Sequence, residues 1–196
     1  MPYQLIHADI MLEGEIHEVY LCASEDFKEK GESKIALDAY KEREAEPKES
    51  ALDFCVRMGW ETYIYQMMVV DYLILNRDRH GANIEVLRNS RKKSFRMAPL
   101  FDHGLSLLCR CTDDSQVEAF DVMEDKPCNN YIGSKSTWEN LKLIPADKRP
   151  MLNPLCETDR ERIMEGLDGI ISGALQDKIW EMIWKRWCAY EDFCNS

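Results

Sequence analysis

Residues 71–83 read Asp71-Tyr-Leu-Ile-Leu-Asn-Arg-Asp-Arg-His-Gly-Ala-Asn83, and residues 98–107 read Ala98-Pro-Leu-Phe-Asp-His-Gly-Leu-Ser-Leu107. The first stretch carries Asp78 and Asn83 at the spacing D-x-x-x-x-N, and the second carries Asp102 in a D-x-G triplet. Together they place oxygen-bearing side chains at two points of the chain that a short connection could bring together. The interpretation of the whole sequence depends on these two stretches.

A β-hairpin is predicted between them. Ile84-Glu-Val-Leu87 and Phe95-Arg-Met-Ala-Pro-Leu-Phe101 alternate in polarity, and the polar basic run Arg88-Asn-Ser-Arg-Lys-Lys93 separates them. Such a pattern is typical of two antiparallel strands around a turn. The hairpin would return the chain so that Asp102 faces the loop that holds Asp78. The basic run favours a solvated hairpin tip, with a phosphate-binding patch as the alternative.

The three side chains meet the requirements of phosphoryl transfer from ATP. A carboxylate must orient the hydroxyl that attacks, and oxygen ligands must hold the Mg²⁺ that neutralises charge between the phosphates. In the D-x-x-x-x-N loop of kinases, the Asp accepts the hydroxyl proton and the Asn binds metal. The pattern therefore predicts Asp78 as the catalytic base, and Asn83 and Asp102 as magnesium ligands.

Other residues of the first stretch are expected to support this loop. Asp71 falls on the apolar stripe of the preceding helix, where a carboxylate needs hydrogen bonds, so it is predicted to brace the segment after that helix. Asn76 is placed in the same supporting set. His80 is expected to hydrogen-bond the loop backbone rather than to shuttle protons. Arg79, like Arg77, could steady phosphate or pair with nearby acids, and the sequence leaves both open.

The two stretches together resemble the C-terminal lobe of HipA-type serine/threonine kinases, over about residues 60–108. A related pairing of D-R-H-x-x-N with D-x-G occurs in phosphatidylinositol kinases. The resemblance implies an α+β, mostly α fold, namely a protein-kinase-like C-lobe with a catalytic-loop β-hairpin and a small N-terminal strand or hinge remnant. It also implies ATP as the phosphoryl donor, Mg²⁺ as the cofactor, and the roles given above to Asp78, Asn83 and Asp102.

Compared with the kinases that it resembles, the chain is expected to have a reduced N-terminal part. Residues 1–50 would hold a hinge or N-lobe remnant with a charged connector, and residues 51–196 would hold the kinase C-lobe. The hinge strand would be Glu18–Ala23. The backbone of that strand would meet the adenine, at Tyr20, Leu21 and Cys22.

Two features of such kinases are not visible in the sequence. The nine glycines are isolated, so no glycine-rich phosphate loop is predicted, and the lysines of residues 28–34 follow the expected hinge rather than precede it. We therefore expect weak nucleotide binding and slow or absent turnover by this chain alone. An N-lobe or an antitoxin partner, as in toxin–antitoxin systems, could be supplied in trans.

The remaining elements are predicted from periodicity. Tyr3–Ile6 and Glu18–Ala23 favour strands, whereas the charged residues 24–50 favour a solvated helix or loop. Ser50 begins a predicted helix, and Trp60–Leu75 forms the next one.

The second half of the chain is predicted to be irregular first and helical afterwards. Residues 103–156 show little periodicity. A capping box at Thr158 and Glu161 predicts a helix whose apolar stripe runs on to Leu175, and a second stripe runs from Ile179 to Trp187.

Composition excludes several classes of function. Lys+Arg 25 against Asp+Glu 36 gives a net charge of −11, which disfavours nucleic acid as the main partner. No apolar run reaches the length of about 18 residues that a membrane span needs, and the first residues lack a secretory pattern, so a cytoplasmic location is expected. The eight cysteines contain no C-x-x-C pair and are expected to be reduced, small buried hydrophobes.

Three functions remain open from the sequence. The first is a HipA-like protein kinase that phosphorylates a protein hydroxyl, either truncated or completed by a partner. The second is a phosphatidylinositol-kinase relative, which the acidic charge and the lack of a basic amphipathic helix disfavour. The third is a non-catalytic module that keeps the site residues and acts by protein association.

Overall fold

The described part of the chain is residues 3–196 in this computed structural model. It combines short strands and helices of very different lengths. In chain order these are β1 (Tyr3–Leu12), β2 (Glu15–Ser24), β3 (Glu32–Ala36), α1 (Leu37–Glu44), α2 (Ala51–Arg57), α3 (Glu61–Leu73), β4 (Asp78–Arg79), β5 (Glu85–Asn89), β6 (Ser94–Met97), α4 (Asp114–Ala119), β7 (Asn129–Asn130), α5 (Thr137–Leu141), α6 (Glu157–Ile163) and α7 (Gly173–Asn195). Single turns of 3₁₀ helix cover Gly81–Asn83 and Ala146–Lys148.

Strands β1 and β2 form an antiparallel hairpin, with Leu12 opposite Glu15 at its tip. Glu13 and Gly14 both have positive φ, as the tight two-residue turn of a twisted hairpin requires. The strands predicted at Tyr3–Ile6 and Glu18–Ala23 are confirmed and are longer than expected. The two strands pair only with each other in the described chain, so both of their outer edges are open.

A second sheet has the order β3-β5-β6, with antiparallel neighbours. β5 and β6 are the two arms of the hairpin expected between the two sequence stretches. The prediction of a solvated helix or loop over residues 24–50 was wrong in part, because β3 and α1 lie there and Leu37 and Tyr40 join the core. β3 is an edge strand in which Ser33 and Lys34 are exposed and the Glu32 carboxylate is bound by Arg96, and this polar sequence hid the strand. The division at residue 50 stays a prediction.

Helix α3 lies at the centre of the fold. Its residues Ile64, Met67 and Met68 are buried in the main hydrophobic core, and it packs against α2, α5 and α7. The predicted helix Trp60–Leu75 is confirmed, as is the cap at Ser50, whose hydroxyl accepts a hydrogen bond from the Asp53 backbone. Because α3 ends inside the core, the loop after it starts from a fixed position.

The C-terminal region differs from its prediction in one place. α6 begins after Cys156, not Thr158, and ends at Ile163, so the expected continuous helix to Leu175 was wrong. Gly166 and Gly169 have positive φ there and interrupt the helix. α7 carries the second stripe as predicted. The predicted irregular region 103–156 does contain two short helices, α4 and α5.

The prediction that the cysteines are buried is wrong for most of them, and their reduced state stays a prediction. The cysteines of the described chain are free, but Cys22, Cys109 and Cys156 are exposed, and only Cys55 and Cys128 are buried. None of the helices in residues 3–196 combines the length and the apolar character required to cross a bilayer.

Candidate functional site

Three asparagine side chains hold Asp78, each at a different atom. The Asn76 Oδ1 accepts from the Asp78 backbone N–H at 3.2 Å, and the Asn83 Nδ2 donates to the Asp78 backbone carbonyl at 3.0 Å. The Asn129 Nδ2 donates to the Asp78 carboxylate Oδ1 at 3.0 Å. The backbone of Asp78 and one of its carboxylate oxygens are therefore fixed, while the side chain stays partly open to solvent.

Below this loop, Asp71 is buried at the end of α3. Its Oδ1 accepts from Asn76 Nδ2 at 2.8 Å and from Arg79 Nη2 at 2.8 Å, and its Oδ2 accepts from Arg79 Nε at 3.1 Å. The carboxylate that was expected to need hydrogen bonds thus receives them from the loop itself. Because Asn76 binds both Asp71 and Asp78, the end of α3 sets the position of Asp78.

Arg79 joins the two sequence stretches. It is fully buried, and its Nη1 donates to the Asn83 carbonyl at 3.2 Å and to the Phe101 carbonyl at 2.9 Å. The backbones of Asn83 and Phe101 are therefore within two hydrogen-bond lengths of each other, and Asp102 is the next residue after Phe101. Of the two roles left open for Arg79, the structure places it with a buried acid, out of reach of a phosphate in solution.

Asp102 occupies an unusual backbone conformation. Its φ is +53°, in the left-handed region that residues with a β-carbon rarely adopt, and its side chain is exposed. Such strain is retained where the surroundings enforce it, and it clusters at functional sites. Here the Arg79 bond to Phe101 on one side and the Leu107 backbone bond to Ile74 on the other hold the segment.

Two histidines flank the site and behave differently. His103 Nδ1 lies 3.2 Å from Arg79 Nη2, so it acts as the acceptor, and burial together with the Arg79 charge lowers the pKa of His103. His80 was expected to bind the loop backbone, and its ring makes no such bond in the described chain. Its Nε2 instead lies 3.9 Å from Asp78 Oδ2, which is beyond hydrogen-bond length.

The expected adenine contacts lie on the β1–β2 hairpin. Tyr20 is 49% exposed and Leu21 is 40% exposed, and Cys22 is exposed as well. Closer to Asp102 the structure offers residues that the sequence did not single out. The Phe27 ring stacks 6.1 Å from the Phe101 ring, and the Lys34 ammonium lies 4.0 Å from the Phe27 ring centre.

A buried acceptor lies beside these rings. The Glu85 Oε2 has no hydrogen-bond partner, and Lys34 Nζ is 4.0 Å away from it. No motif marks Glu85 or Phe27, since a single charged or aromatic residue in a strand or loop has many ordinary explanations. Asn129 was missed as well, because 51 residues separate it from Asp78 and only the fold brings them together.

The candidate metal ligands are an amide and a carboxylate, a donor set of hard oxygens that suits Mg²⁺. The Asn83 Nδ2 donates to the Asp78 carbonyl, so Asn83 Oδ1 is the atom of this amide that could bind a metal. Among residues 3–196 no group of three or more His, Cys, Asp or Glu side chains is arranged to hold a metal ion. Two protein oxygens fill only part of the coordination shell of Mg²⁺, so an ion at Asn83 and Asp102 would be shared with phosphate oxygens and water.

No protein-family model matches the chain, and no curated protein does either. Among solved structures, the crystal structure of the Helicobacter pylori proinflammatory kinase CtkA is similar, with a TM-score of 0.60 at 17% sequence identity. The match covers 92% of this chain and 76% of that chain. At this identity the likeness shows the fold alone, which is kinase-like. The expectation of a kinase-like fold is confirmed, whereas the HipA type and the C-lobe assignment stay predictions.

Proposed function

We propose that this chain is an ATP-dependent protein kinase domain of the HipA type that phosphorylates a serine or threonine hydroxyl. One observation carries the proposal: Arg79 binds the carbonyls of Asn83 and Phe101 with a single nitrogen, and so brings the Asp78 loop beside Asp102. The Arg79 guanidinium thereby holds a base, an amide and a second carboxylate close together, and these are the parts that phosphoryl transfer requires. The kinase-like fold supports the same conclusion.

In the proposed reaction, the substrate hydroxyl lies against Asp78 Oδ2, the carboxylate oxygen that Asn129 leaves free. The hydroxyl oxygen forms a bond to the γ-phosphorus while the bond from that phosphorus to the β,γ-bridging oxygen breaks, and the hydroxyl proton passes to Asp78. ADP and the phosphorylated protein are the products. Bound Mg²⁺ would neutralise charge on the phosphates, with Asn83 and Asp102 holding it.

The nucleotide would lie between Asp102 and the segment after β2. The Phe27 and Phe101 rings offer an apolar wall there, and the Glu85 Oε2, which has no hydrogen-bond partner, offers an acceptor for an amino group of a base. The hinge role of Tyr20, Leu21 and Cys22 remains part of the proposal. We also propose a protein substrate, a cytoplasmic location, and a partner in trans, an N-lobe or an antitoxin, that strengthens otherwise weak nucleotide binding.

The test is transfer of labelled phosphate from ATP, with Mg²⁺ and a generic protein substrate, measured in solution and as autophosphorylation. Asp78→Asn keeps the shape of the side chain and removes the base, and Asp102→Asn removes a charged metal ligand. Asp192→Asn, an identical change at an exposed position of α7, is the matched control. We expect slow incorporation by the wild type and the control, and none by Asp78→Asn or Asp102→Asn. Equal labelling by Asp78→Asn would refute the assignment of the base.

A non-catalytic module is the second candidate, and the β1–β2 hairpin favours it. Met11 is 72% and Ile16 68% exposed on one of its faces, and such apolar side chains are suited to burial against another protein. An absence of label in the wild type, combined with unchanged partner capture by Asp78→Asn, would favour this function. Label transferred to phosphatidylinositol vesicles rather than to protein would favour the lipid-kinase alternative.

A further inference from the structure

We propose that Asn129 is a positioning residue that orients the Asp78 carboxylate, binding Oδ1 so that Oδ2 faces the substrate hydroxyl. This inference rests on the proposed function and adds a component to its site. The Asn129 Nδ2 lies 3.0 Å from Asp78 Oδ1, and the donor meets an ionised acceptor, so the bond is charge-assisted. The other carboxylate oxygen, Oδ2, lies 3.9 Å from the His80 Nε2.

The strand that carries Asn129 is fixed to the strand that carries Asp78. β4 and β7 are parallel, with Asp78 in register with Asn129. Asn129 donates its backbone N–H to the Arg77 carbonyl at 2.8 Å, and Tyr131 donates to the Arg79 carbonyl at 2.9 Å. A slip of one residue would turn the Asn129 side chain to the other face of the pair. The register therefore delivers this amide, and not its neighbour, to Asp78.

The loop after β7 is closed on itself, which keeps the strand in place. Cys128 donates its backbone N–H to the Lys135 carbonyl at 2.9 Å. The Asn130 Oδ1 accepts from the backbone N–H groups of Ile132 and Gly133 at 2.9 and 3.0 Å. Two adjacent asparagines thus have opposite tasks: Asn129 donates to the carboxylate, and Asn130 only accepts from its own loop.

This contrast gives a matched pair of variants. Asn129→Asp keeps the shape of the side chain but replaces the donor by a second carboxylate that repels Asp78. Asn130→Asp makes the same change one residue later and keeps its acceptor oxygen. A side chain with a merely structural role at the exposed position 129 would tolerate the isosteric change, so the pair separates positioning from packing.

The experiment measures kcat and KM for ATP in the full chain, together with the side-chain amide signals of Asn129 and Asn130 in ¹H–¹⁵N spectra. We expect Asn129→Asp to lower kcat about 10- to 100-fold with little change in KM, since a misplaced catalytic group costs rate rather than nucleotide affinity. The kcat of Asn129→Ala should lie between that of Asn129→Asp and that of the wild type, and the kcat of Asn130→Asp should equal that of the wild type. In the spectra, Asp78→Ala should shift the Asn129 amide signal and leave that of Asn130.

Each outcome has one meaning. The inference is overturned if Asn129→Asp keeps the kcat of the wild type. It is also overturned if the Asn129 amide signal does not shift in Asp78→Ala. A wild type that neither transfers phosphate nor gains thermal stability with excess Mg·ATP, while its Asn129 signal still responds to Asp78→Ala, refutes the proposed function, and it leaves the orientation of the carboxylate by Asn129 supported.

Discussion

Arg79 Nη2 lies 2.8 Å from Asp71 Oδ1, and both side chains are closed off from solvent. The same guanidinium binds the carbonyls of Asn83 and Phe101. One buried ion pair therefore connects the end of α3, the loop of Asp78 and the segment that leads into Asp102. In the proposed kinase, this connection would hold the two stretches in a fixed geometry around the metal.

Removal of Arg79 should destabilise the fold strongly. Arg79→Met leaves the Asp71 charge buried with Asn76 alone, which we expect to cost about 3–5 kcal/mol in the free energy of unfolding. Denaturant unfolding measures this cost. Lys185→Met, which breaks an exposed pair with Glu181 on α7, is the control and should cost about 0.5 kcal/mol or less. Similar unfolding midpoints for the two variants would show that the buried ion pair stabilises the fold no more than the exposed pair does.

The parts of the site that the sequence predicts are those that depend on residues close to one another in the chain. Asp78 and Asn83 are five residues apart, and Asp102 comes after the hairpin of β5 and β6. The need of Asp71 for hydrogen bonds was also visible, because a carboxylate on an apolar helix stripe is costly without partners. In each case a short segment carries enough information to state the geometry.

The parts that the sequence does not predict depend on distant pairings. β3 lies in a charged stretch and becomes a strand because β5 offers it an edge. Asn129 reaches Asp78 only through the parallel pairing of β4 with β7. The break between α6 and α7 at Gly166 and Gly169 was hidden by an apolar pattern that continues across it. Periodicity describes which side chains can share a face, and it does not show where the backbone turns.

Gly81 is predicted to be essential for the placement of the loop. A β-carbon at this position would lie 2.6 Å from the Asp38 β-carbon on α1, which is shorter than any normal contact. Gly81→Ala must push the loop away from α1 and should cost about 1–3 kcal/mol of stability, with a loss of phosphate transfer. Gly173→Ala is the control, because nothing lies near its added carbon and it begins α7.

Thermal unfolding with a parallel activity assay compares the two glycine variants. Only Gly81→Ala should lower both the unfolding temperature and the rate of phosphate transfer. A Gly81→Ala protein with wild-type stability and activity would mean that α1 yields freely, and that the contact does not position the loop.

Stability should decrease on the acidic side because of His103. Burial, then the Arg79 charge, lowers the pKa of His103 in the folded state, against weaker opposing contributions from Asp71 and Asp102. The unfolded chain then binds more protons once the pH falls below about 6.5, so the free energy of unfolding falls with pH by at most about 1.4 kcal/mol per unit. This contribution is complete above the unfolded pKa and is lost as the pH falls towards the folded one.

Denaturant unfolding between pH 8 and pH 5 tests the role of His103. His103→Gln keeps an acceptor for Arg79 and cannot titrate, so its stability should depend less on pH than that of the wild type across this window. Identical slopes for the two proteins would rule out His103 as the source.

Arg186 should hold the segment that precedes β7. It is fully buried on α7, where burial lowers its pKa, and it donates to the carbonyls of Val122 at 2.7 Å, Glu124 at 2.9 Å and Tyr72 at 3.1 Å. Arg186→Met removes three charged hydrogen bonds, and we expect a loss of about 2 kcal/mol or more. Hydrogen exchange should accelerate first in residues 120–130. Uniform acceleration over the whole chain would contradict a local role.

Asp102 is predicted to trade stability for metal binding. Its φ of +53° costs a residue with a β-carbon about 1–2 kcal/mol, and glycine avoids that cost. Asp102→Gly should therefore be more stable than Asp102→Ala by about 1 kcal/mol, although both lose the carboxylate. Thermal unfolding with and without excess Mg·ATP separates the two effects, because a ligand that binds the folded state raises Tm. The wild type should gain Tm with Mg·ATP, and neither variant should. If Mg·ATP raised the Tm of Asp102→Gly as much as that of the wild type, the carboxylate would hold no metal. If Asp102→Gly and Asp102→Ala were equally stable without nucleotide, the backbone at Asp102 would be unstrained.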